Sequence, residues 1–351
     1  MVSIVNPLKL NEDENKMNSS LNDLDNKVVV LDSAILPDSK ECLLEEKLLK
    51  PYAQVSQVFV RSDREIIETC RKANAIILWH HACLTQQILE QLQCCQVIVR
   101  NGVGFDNVDV ETASRLSIPV CNVPDYGTEE VADHALALAL YLARNLSASS
   151  RDVQQGNWNW RSAKPIRRFR QQVFGILGCG RIGTCVALRA KAFGFQVNFF
   201  DPYLPDGYEK SLGIHRCKSL EGFLRSVDIL SIHVPLNQNT LKLISEKTLP
   251  FMKKGSILVN TSRGPVVDEI ALFQALDSGH IAAAGLDVVE DETKSHQPLS
   301  KHPQCIITPH CAFYSEDSWK EMRTKSCLTV IDALLKKPLR NVVNGVHSVQ
   351  K

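Results

Sequence analysis

The sequence predicts an α/β protein built from two doubly wound parallel sheets. Three observations predict it. Short apolar runs of strand length alternate with helix-length segments along nearly the whole chain. One run, Val173–Leu177, leads into G-x-G-x-x-G at Gly178, Gly180 and Gly183. The 351 residues, 44% of them apolar, are enough for two domains with cores of their own.

The elements follow in order. Met1–Asn26 is rich in Asn, Asp and Glu and lacks apolar periodicity, so a disordered tail is expected there. Order starts at Lys27 with the strand KVVVLDS. Gln57–Val60, Ala75–Trp79 and Val97–Arg100 also read as strands, with helices over Asp63–Lys72 and Thr85–Gln93. Val120–Val123 closes this first unit at Pro124. Thr128 is placed to cap a helix reaching Asn145, with Glu129 and Glu130 in its first turn. That helix is apolar nearly all round and is expected to be buried. Arg151–Gln172 is a polar excursion carrying Trp158, Trp160 and several arginines. It reads as a segment that packs on another body, such as a second subunit.

After Val173–Leu177 and the glycine loop come a helix and the strand Gln196–Phe200, which ends at Asp201, 18 residues beyond Gly183. Ile229–Val234, Ser256–Asn260, Ala283–Val288 and Ile306–Thr308 are further strands. Helices fit Leu220–Arg225, Ser245–Phe251 and Glu269–Ser278. Ser315–Leu335 is an amphipathic helix expected to return to the first unit. The expected domains are therefore residues 27–124 plus 315–345, and 125–314.

The glycine loop has a chemical reading. Gly178 permits the turn out of the strand, Gly180 lets a pyrophosphate approach the backbone, and Gly183 brings the helix against the sheet. The helix N-terminus presents N–H groups to phosphate. Asp201 suits a ribose 2′-hydroxyl and repels a 2′-phosphate, and Pro202 and Tyr203 follow it rather than a cation. NAD rather than NADP is the expected cofactor.

Strand ends in such a sheet line the crevice. Three of them carry reactive groups: Asn260-Thr261-Ser262-Arg263-Gly264, then Asp287 with Glu292, then Thr308-Pro309-His310. Hydride transfer between a 2-hydroxy acid and NAD needs an anchor for the carboxylate, and Arg263 offers a bidentate fork. It needs an acid/base near neutral pH, and His310 fits. Glu292 can orient that ring and favour its protonated form.

The formal charge of +1 gives no sign of a nucleic-acid or membrane surface, and no apolar run is long enough to span a bilayer. Twelve cysteines are scattered without a C-x-x-C pair, so free thiols in a reducing cytoplasm are expected. Cys94-Cys95 and Cys179 stand out as cysteines, with burial or a bystander role the expected state of each. No targeting pattern is read at the N-terminus. No metal site is expected.

The motifs RNGVGFDNVDV, CNVPDYGTEEVADHALALAL, GILGCGRIG, VALRAKAFGFQVNFFDPYLPDG, VNTSRGPVVDE, GLDVVEDE, TPHCAFYSED and LRNVVNG stand in this order between Lys27 and Gly345. With them the chain resembles the D-isomer-specific 2-hydroxyacid dehydrogenases, and within them the C-terminal-binding protein corepressors and their bacterial relatives. The resemblance implies two Rossmann-like domains with a cleft between them. It implies Arg263, Glu292 and His310 as the catalytic set. It implies cofactor contacts from Gly180, Arg181, Ile182, Asp201, Val234, Pro235 and Thr261, with Asp287 meeting the nicotinamide carboxamide. The loop Asn101, Gly102, Val103 and Gly104 would hold the substrate carboxylate through backbone N–H groups, and His80 falls at a pocket position of the corepressor branch. A homodimer is implied, with the segment around Trp158 near its contact.

Two departures bear on function. Phe313 stands where the corepressors carry a Trp in the substrate pocket. The segment DYGTEEVADHALALAL is more like the bacterial enzymes. The expected function is an NAD-dependent oxidoreductase acting on a small D-2-hydroxy or 2-oxo acid. The alternative is a corepressor or NAD-sensing scaffold, which would need an apolar peptide groove, for which Ala53–Leu78 is the candidate stretch.

Overall fold

A computed structural model describes residues 25–33, 43–60, 62–292 and 298–348. The expected disordered tail therefore lies, but for its last two residues, outside the described residues. The chain divides into two compact units, one ending at Val123 and resuming at Glu321, the other running from Pro124 to Lys320.

The first unit holds five parallel strands: β1 (Lys27–Ser33), β2 (Gln54–Val60), β3 (Ala75–Leu78), β4 (Val97–Arg100) and β5 (Val120–Asn122). Their order is β2-β1-β3-β4-β5, so the chain winds one way from β1 and then the other. Every residue of β3 and β4 is buried, as the centre of a two-faced parallel sheet requires. The β5 edge is covered by the C-terminal segment. Val343 N donates to Val120 O (2.8 Å), and Asn344 accepts from Val120 N (3.0 Å) while donating to Ile118 O (2.8 Å). The long helix Glu316–Leu334 is tied into this unit by a buried ion pair. Arg323 Nε donates to Glu45 Oε1 at 2.7 Å, and Arg323 Nη2 to the other oxygen.

The second unit holds seven: β6 (Val173–Leu177), β7 (Gln196–Phe200), β8 (His215–Arg216), β9 (Ile229–Ile232), β10 (Ser256–Asn260), β11 (Ile281–Leu286) and β12 (Cys305–Ile307). Their order is β12-β11-β10-β9-β6-β7-β8, all parallel. The chain leaves β6 toward β7 and β8, then returns to place β9 on the other side of β6. The topological switch point lies between β6 and β9, which is where such sheets open a crevice at their C-terminal ends. One core lies under β6, β9 and β10 around Phe223, Leu230 and Leu258. The other lies between the sheet and the helices Thr128–Ala143 and Arg181–Ala192.

Several expectations are corrected. Ser245–Phe251 is a turn followed by the 3-10 segment Leu249–Phe251, not a helix. Thr248 Oγ1 accepts from Ser245 N (2.8 Å) and donates to Leu243 O (2.8 Å), and Pro250 lacks an N–H, so a helical ladder cannot form. Thr128 is the first helical residue, not the cap: Gly127 is the N-cap and offers no side chain. The strand read at Gln57 begins at Gln54. The short helices Leu43–Leu49 and Tyr208–Leu212 and the strand β8 were not expected. In the excursion, Leu146–Gln154 is helical, and Asn145 makes the bend before it at φ 49°. Trp158 is 91% exposed and Trp160 68%. Among the described residues no helix is long and apolar enough to cross a membrane.

Candidate active site

The glycine loop leaves β6 at the switch point. Gly178 has φ 86°, and a Cβ there would stand 2.8 Å from Val234 Cγ1 and 3.0 Å from the His233 carbonyl carbon. A Cβ on Gly183 would stand 2.1 Å from Gly178 O. Both glycines are therefore required by the protein itself. Gly180 is different: a Cβ there would meet nothing within 4 Å. Its bareness faces open space, as a residue that admits a pyrophosphate should. Gly180 is also the N-cap of the helix Arg181–Ala192 and makes no side-chain cap, so the N–H groups of Arg181, Ile182 and Gly183 head the helix without a side-chain acceptor.

Asp201, at the end of β7, braces this loop. Its Oδ2 accepts from Cys179 N (3.0 Å) and its Oδ1 from Tyr203 N (3.0 Å). Val234 packs against Gly178, and Pro235 beside it is exposed. His233 Nε2 lies 2.8 Å from Ser231 Oγ, and burial pushes its imidazole down to about 3. Thr261 is 9% exposed, and its hydroxyl oxygen is buried without a hydrogen-bond partner. A buried hydroxyl left unpaired is costly. Together with the open Gly180 position it fits a site built for a dinucleotide.

Arg263 leaves β10 on a loop held by Asn260. The Asn260 amide donates to Arg263 O (2.9 Å) and accepts from Ser262 N (3.0 Å) and Ser262 Oγ (2.8 Å). The next residue, Gly264, lies so close to the loop after β11 that a Cβ would stand 2.0 Å from the Val289 carbonyl carbon. Glu269 adds a second tie, accepting from Glu290 N. The Arg263 loop and the loop that carries Glu292 are thus fastened together.

His310 sits just past β12 at φ 51°, in the left-handed region. Its Nδ1 lies 2.9 Å from Glu292 Oε2. Asp287 organises the turn around it. Asp287 O accepts from His310 N (2.8 Å), Oδ1 from Thr308 Oγ1 (2.6 Å) and Cys311 N (3.0 Å), and Oδ2 from Ala312 N (2.9 Å). Phe313 stands edge-on to His310 with ring centroids 6.3 Å apart, and it stacks on Trp319 at 6.2 Å.

In the first unit, the loop after β4 begins at Asn101, whose Oδ1 accepts from Ser326 Oγ (2.7 Å) and whose Nδ2 is buried without a partner. Gly102, at φ 143°, accepts from Val123 N (3.0 Å), and Val103 O accepts from Asn122 Nδ2 (2.6 Å). These bonds set the peptide planes through to Gly104. His80 lies after β3 with its ring 3.8 Å from that of His81.

Sequence reasoning passed over Glu269 and above all His134, and it named Asn260, Gly264 and Thr308 at the strand ends without giving them a role. His134 had a signal of its own, a polar ring in the apolar run VADHALALAL. Cys179 is buried and its thiol is pushed up to about 11; Cys95 is pushed up to about 12; neither is a reactive thiolate. His134, Asp287 and Cys311 bring donor atoms within 4.8 Å of one another. The carboxylate of that group already accepts three hydrogen bonds.

Residues 136–312 match the family described as D-isomer specific 2-hydroxyacid dehydrogenase, NAD binding domain. The chain is 34% identical over 320 residues to C-terminal-binding protein 1 of Caenorhabditis elegans, which covers 88% of this chain and 43% of that protein. It is 34% identical over 309 residues to D-3-phosphoglycerate dehydrogenase of Methanocaldococcus jannaschii, covering 86% and 58%. The chain thus spans about half the length of these curated relatives. Its fold is similar to that of a D-lactate dehydrogenase from Aquifex aeolicus solved with NAD and lactic acid, with a TM-score of 0.78 and 29% identity over 87% of this chain and 94% of the other.

Proposed function

The chain belongs to the D-isomer specific 2-hydroxyacid dehydrogenase family and carries its NAD-binding domain, and from that premise we propose that it interconverts a small D-2-hydroxy acid and its 2-oxo acid. The observation that carries the proposal is the 2.9 Å contact of Glu292 with His310 Nδ1, on the same strand-end edge as the glycine loop. With Glu292 accepting at Nδ1, a protonated His310 carries its second N–H at Nε2. In the reductive direction that proton goes to the carbonyl oxygen of the 2-oxo acid as it becomes a hydroxyl. Glu292 stabilises the imidazolium before transfer and keeps the ring aligned after it. Arg263 pairs with the substrate carboxylate, and the tie at Gly264 keeps its loop in step with that of Glu292.

Gly178–Gly183 and the helix behind them would hold the pyrophosphate, Asp201 the adenosine ribose, and Thr261 and Asp287 the nicotinamide end; Arg181, Ile182, Val234 and Pro235 complete the contacts. Bound NAD supplies or accepts the hydride. Asp201, followed by Pro202 and Tyr203, favours NAD over NADP. The backbone of Asn101–Gly104 and the His80 ring are the proposed substrate contacts of the first unit. A homodimer belongs to the same proposal, supported by the exposed Leu146, Val153, Trp158 and Trp160 on one short stretch. Light scattering gives its mass directly.

The test is NADH consumption across glyoxylate, pyruvate, hydroxypyruvate, phenylpyruvate, a thioether oxo acid and phosphohydroxypyruvate. Turnover of one member supports the enzyme and identifies its substrate class. NADH binding without turnover of any would favour the second reading, a scaffold like C-terminal-binding protein, which the 34% identity to that protein supports.

A further inference from the structure

We propose that His134 is a positioning residue for His310, acting through the Thr308 hydroxyl and the Asp287 carboxylate. This rests on the dehydrogenase reading above.

The hydrogen bonds have only one consistent polarity. Thr308 Oγ1 lies 2.6 Å from Asp287 Oδ1, a carboxylate oxygen that accepts. A hydroxyl has one proton, and Thr308 gives it to Asp287. Toward His134 Nε2, 3.0 Å away, Thr308 can then only accept, so His134 carries its proton on Nε2. His134 Nε2 itself stands 3.6 Å from Asp287 Oδ1, too far for a hydrogen bond, and the hydroxyl spans that gap. The chain of donors runs His134 to Thr308 to Asp287.

Asp287 passes the constraint to the catalytic turn. It binds Thr308, His310, Cys311 and Ala312, residues on both sides of the imidazole and the imidazole's own backbone. His310 sits at a positive φ, a conformation that persists only when its surroundings enforce it. His134 supplies a fixed point for that enforcement. It stands on the helix Thr128–Ala143, whose Ala132, Ala135, Leu136 and Ala139 are buried in the core of the second unit. The three potential metal ligands at this place are explained as a relay: the Asp287 oxygens are already engaged, and Thr308 bridges His134 to one of them.

Without His134, the Thr308 hydroxyl loses its donor and the turn loses its anchor to the helix. The Nδ1 contact with Glu292 then loses its alignment. The test compares His134→Leu with His134→Gln, whose amide N–H reaches about as far as Nε2. Three quantities are read on the full chain: kcat and KM for a 2-oxo acid that the wild type reduces, the Kd for NADH by fluorescence, and the ring signals of His310 in ¹³C-histidine NMR, assigned with His310→Gln. In His134→Leu we expect kcat to fall about tenfold or more, with KM and the NADH Kd within about threefold. The His310 signals move in the same variant. In His134→Gln both kcat and the signals return toward wild type. A folded His134→Leu protein with wild-type kcat and unmoved His310 signals overturns the proposal, as does equal impairment of the Leu and Gln variants. Should His134→Leu not fold, Thr308→Val cuts the same relay with a side chain of equal shape and has the same expected outcome. A wild type that reduces no 2-oxo acid would remove the dehydrogenase reading, while the NMR comparison would still decide the role of His134.

Discussion

The glycine loop and the His310 turn lie at strand ends of one sheet, yet they are held in opposite ways. The loop is shaped by missing side chains: Gly178 and Gly183 allow backbone to lie against backbone, and a single Cβ would not fit. The turn is shaped by added ones: Asp287 gathers four neighbours, Thr308 reaches His134, and Glu292 reaches the ring. Steric fit leaves the loop little to rearrange. A hydrogen-bonded turn can be retuned one partner at a time. A rigid cradle suits an ion that has only to be bound, and an adjustable mount suits a proton that has to move.

The sharpest way to break the comparison is at the ring. His310→Ala should lower turnover by about 10²–10⁴-fold while NADH affinity stays near wild type, since the loop does not depend on the turn. Parallel loss of NADH binding would show that the two regions are one.

Next come the two glycines. Gly183→Ala forces its Cβ onto Gly178 O and should cost about 1–3 kcal/mol in urea unfolding and abolish NADH binding. Gly180→Ala should leave stability within about 0.5 kcal/mol and weaken NADH alone. Equal destabilisation of both would refute the division between a steric glycine and a ligand-facing one.

The smallest effect is expected in acid. His233 packs beside Gly178, and its imidazole is depressed from 6.5 to about 3. The unfolded chain therefore binds a proton that the folded one refuses. Stability is fully present above about pH 6.5 and is lost as the pH falls toward about 3. The thermal midpoint should fall across that window, and less steeply in His233→Asn. Identical slopes in the two proteins would count against His233 as the acid-sensitive group.

The same contrast explains what could be read in advance. The determinants of the loop are contiguous, from Val173 to Asp201, so strand, glycines, helix and acid all lie in one window. The buried strands Ala75–Leu78 and Val97–Arg100 were legible as unbroken apolar runs. The short strand His215–Arg216 was not, because two polar residues at a sheet edge carry no pattern. Ser245–Phe251 looked helical by composition, but a Thr side chain and a proline decide its backbone. The residues proposed as catalytic, Arg263, Glu292 and His310, were legible as chemistry. Their support was not: Thr308 lies 21 residues from Asp287 and 174 from His134, and only the fold brings them together.

The first unit is completed by chain that a ribosome makes only after the second. Residues up to Val123 emerge early, but the helix that carries Arg323 and Ser326 follows only after the whole second unit. Until then Glu45 lacks the guanidinium it meets in the folded core, and the β5 edge lacks Val343 and Asn344. The continuous second unit can close as it emerges, and the first has to wait. Vectorial synthesis therefore reverses the usual order in which domains mature, and a nascent chain halted at Lys320 would display an uncovered strand edge and an unmatched acid.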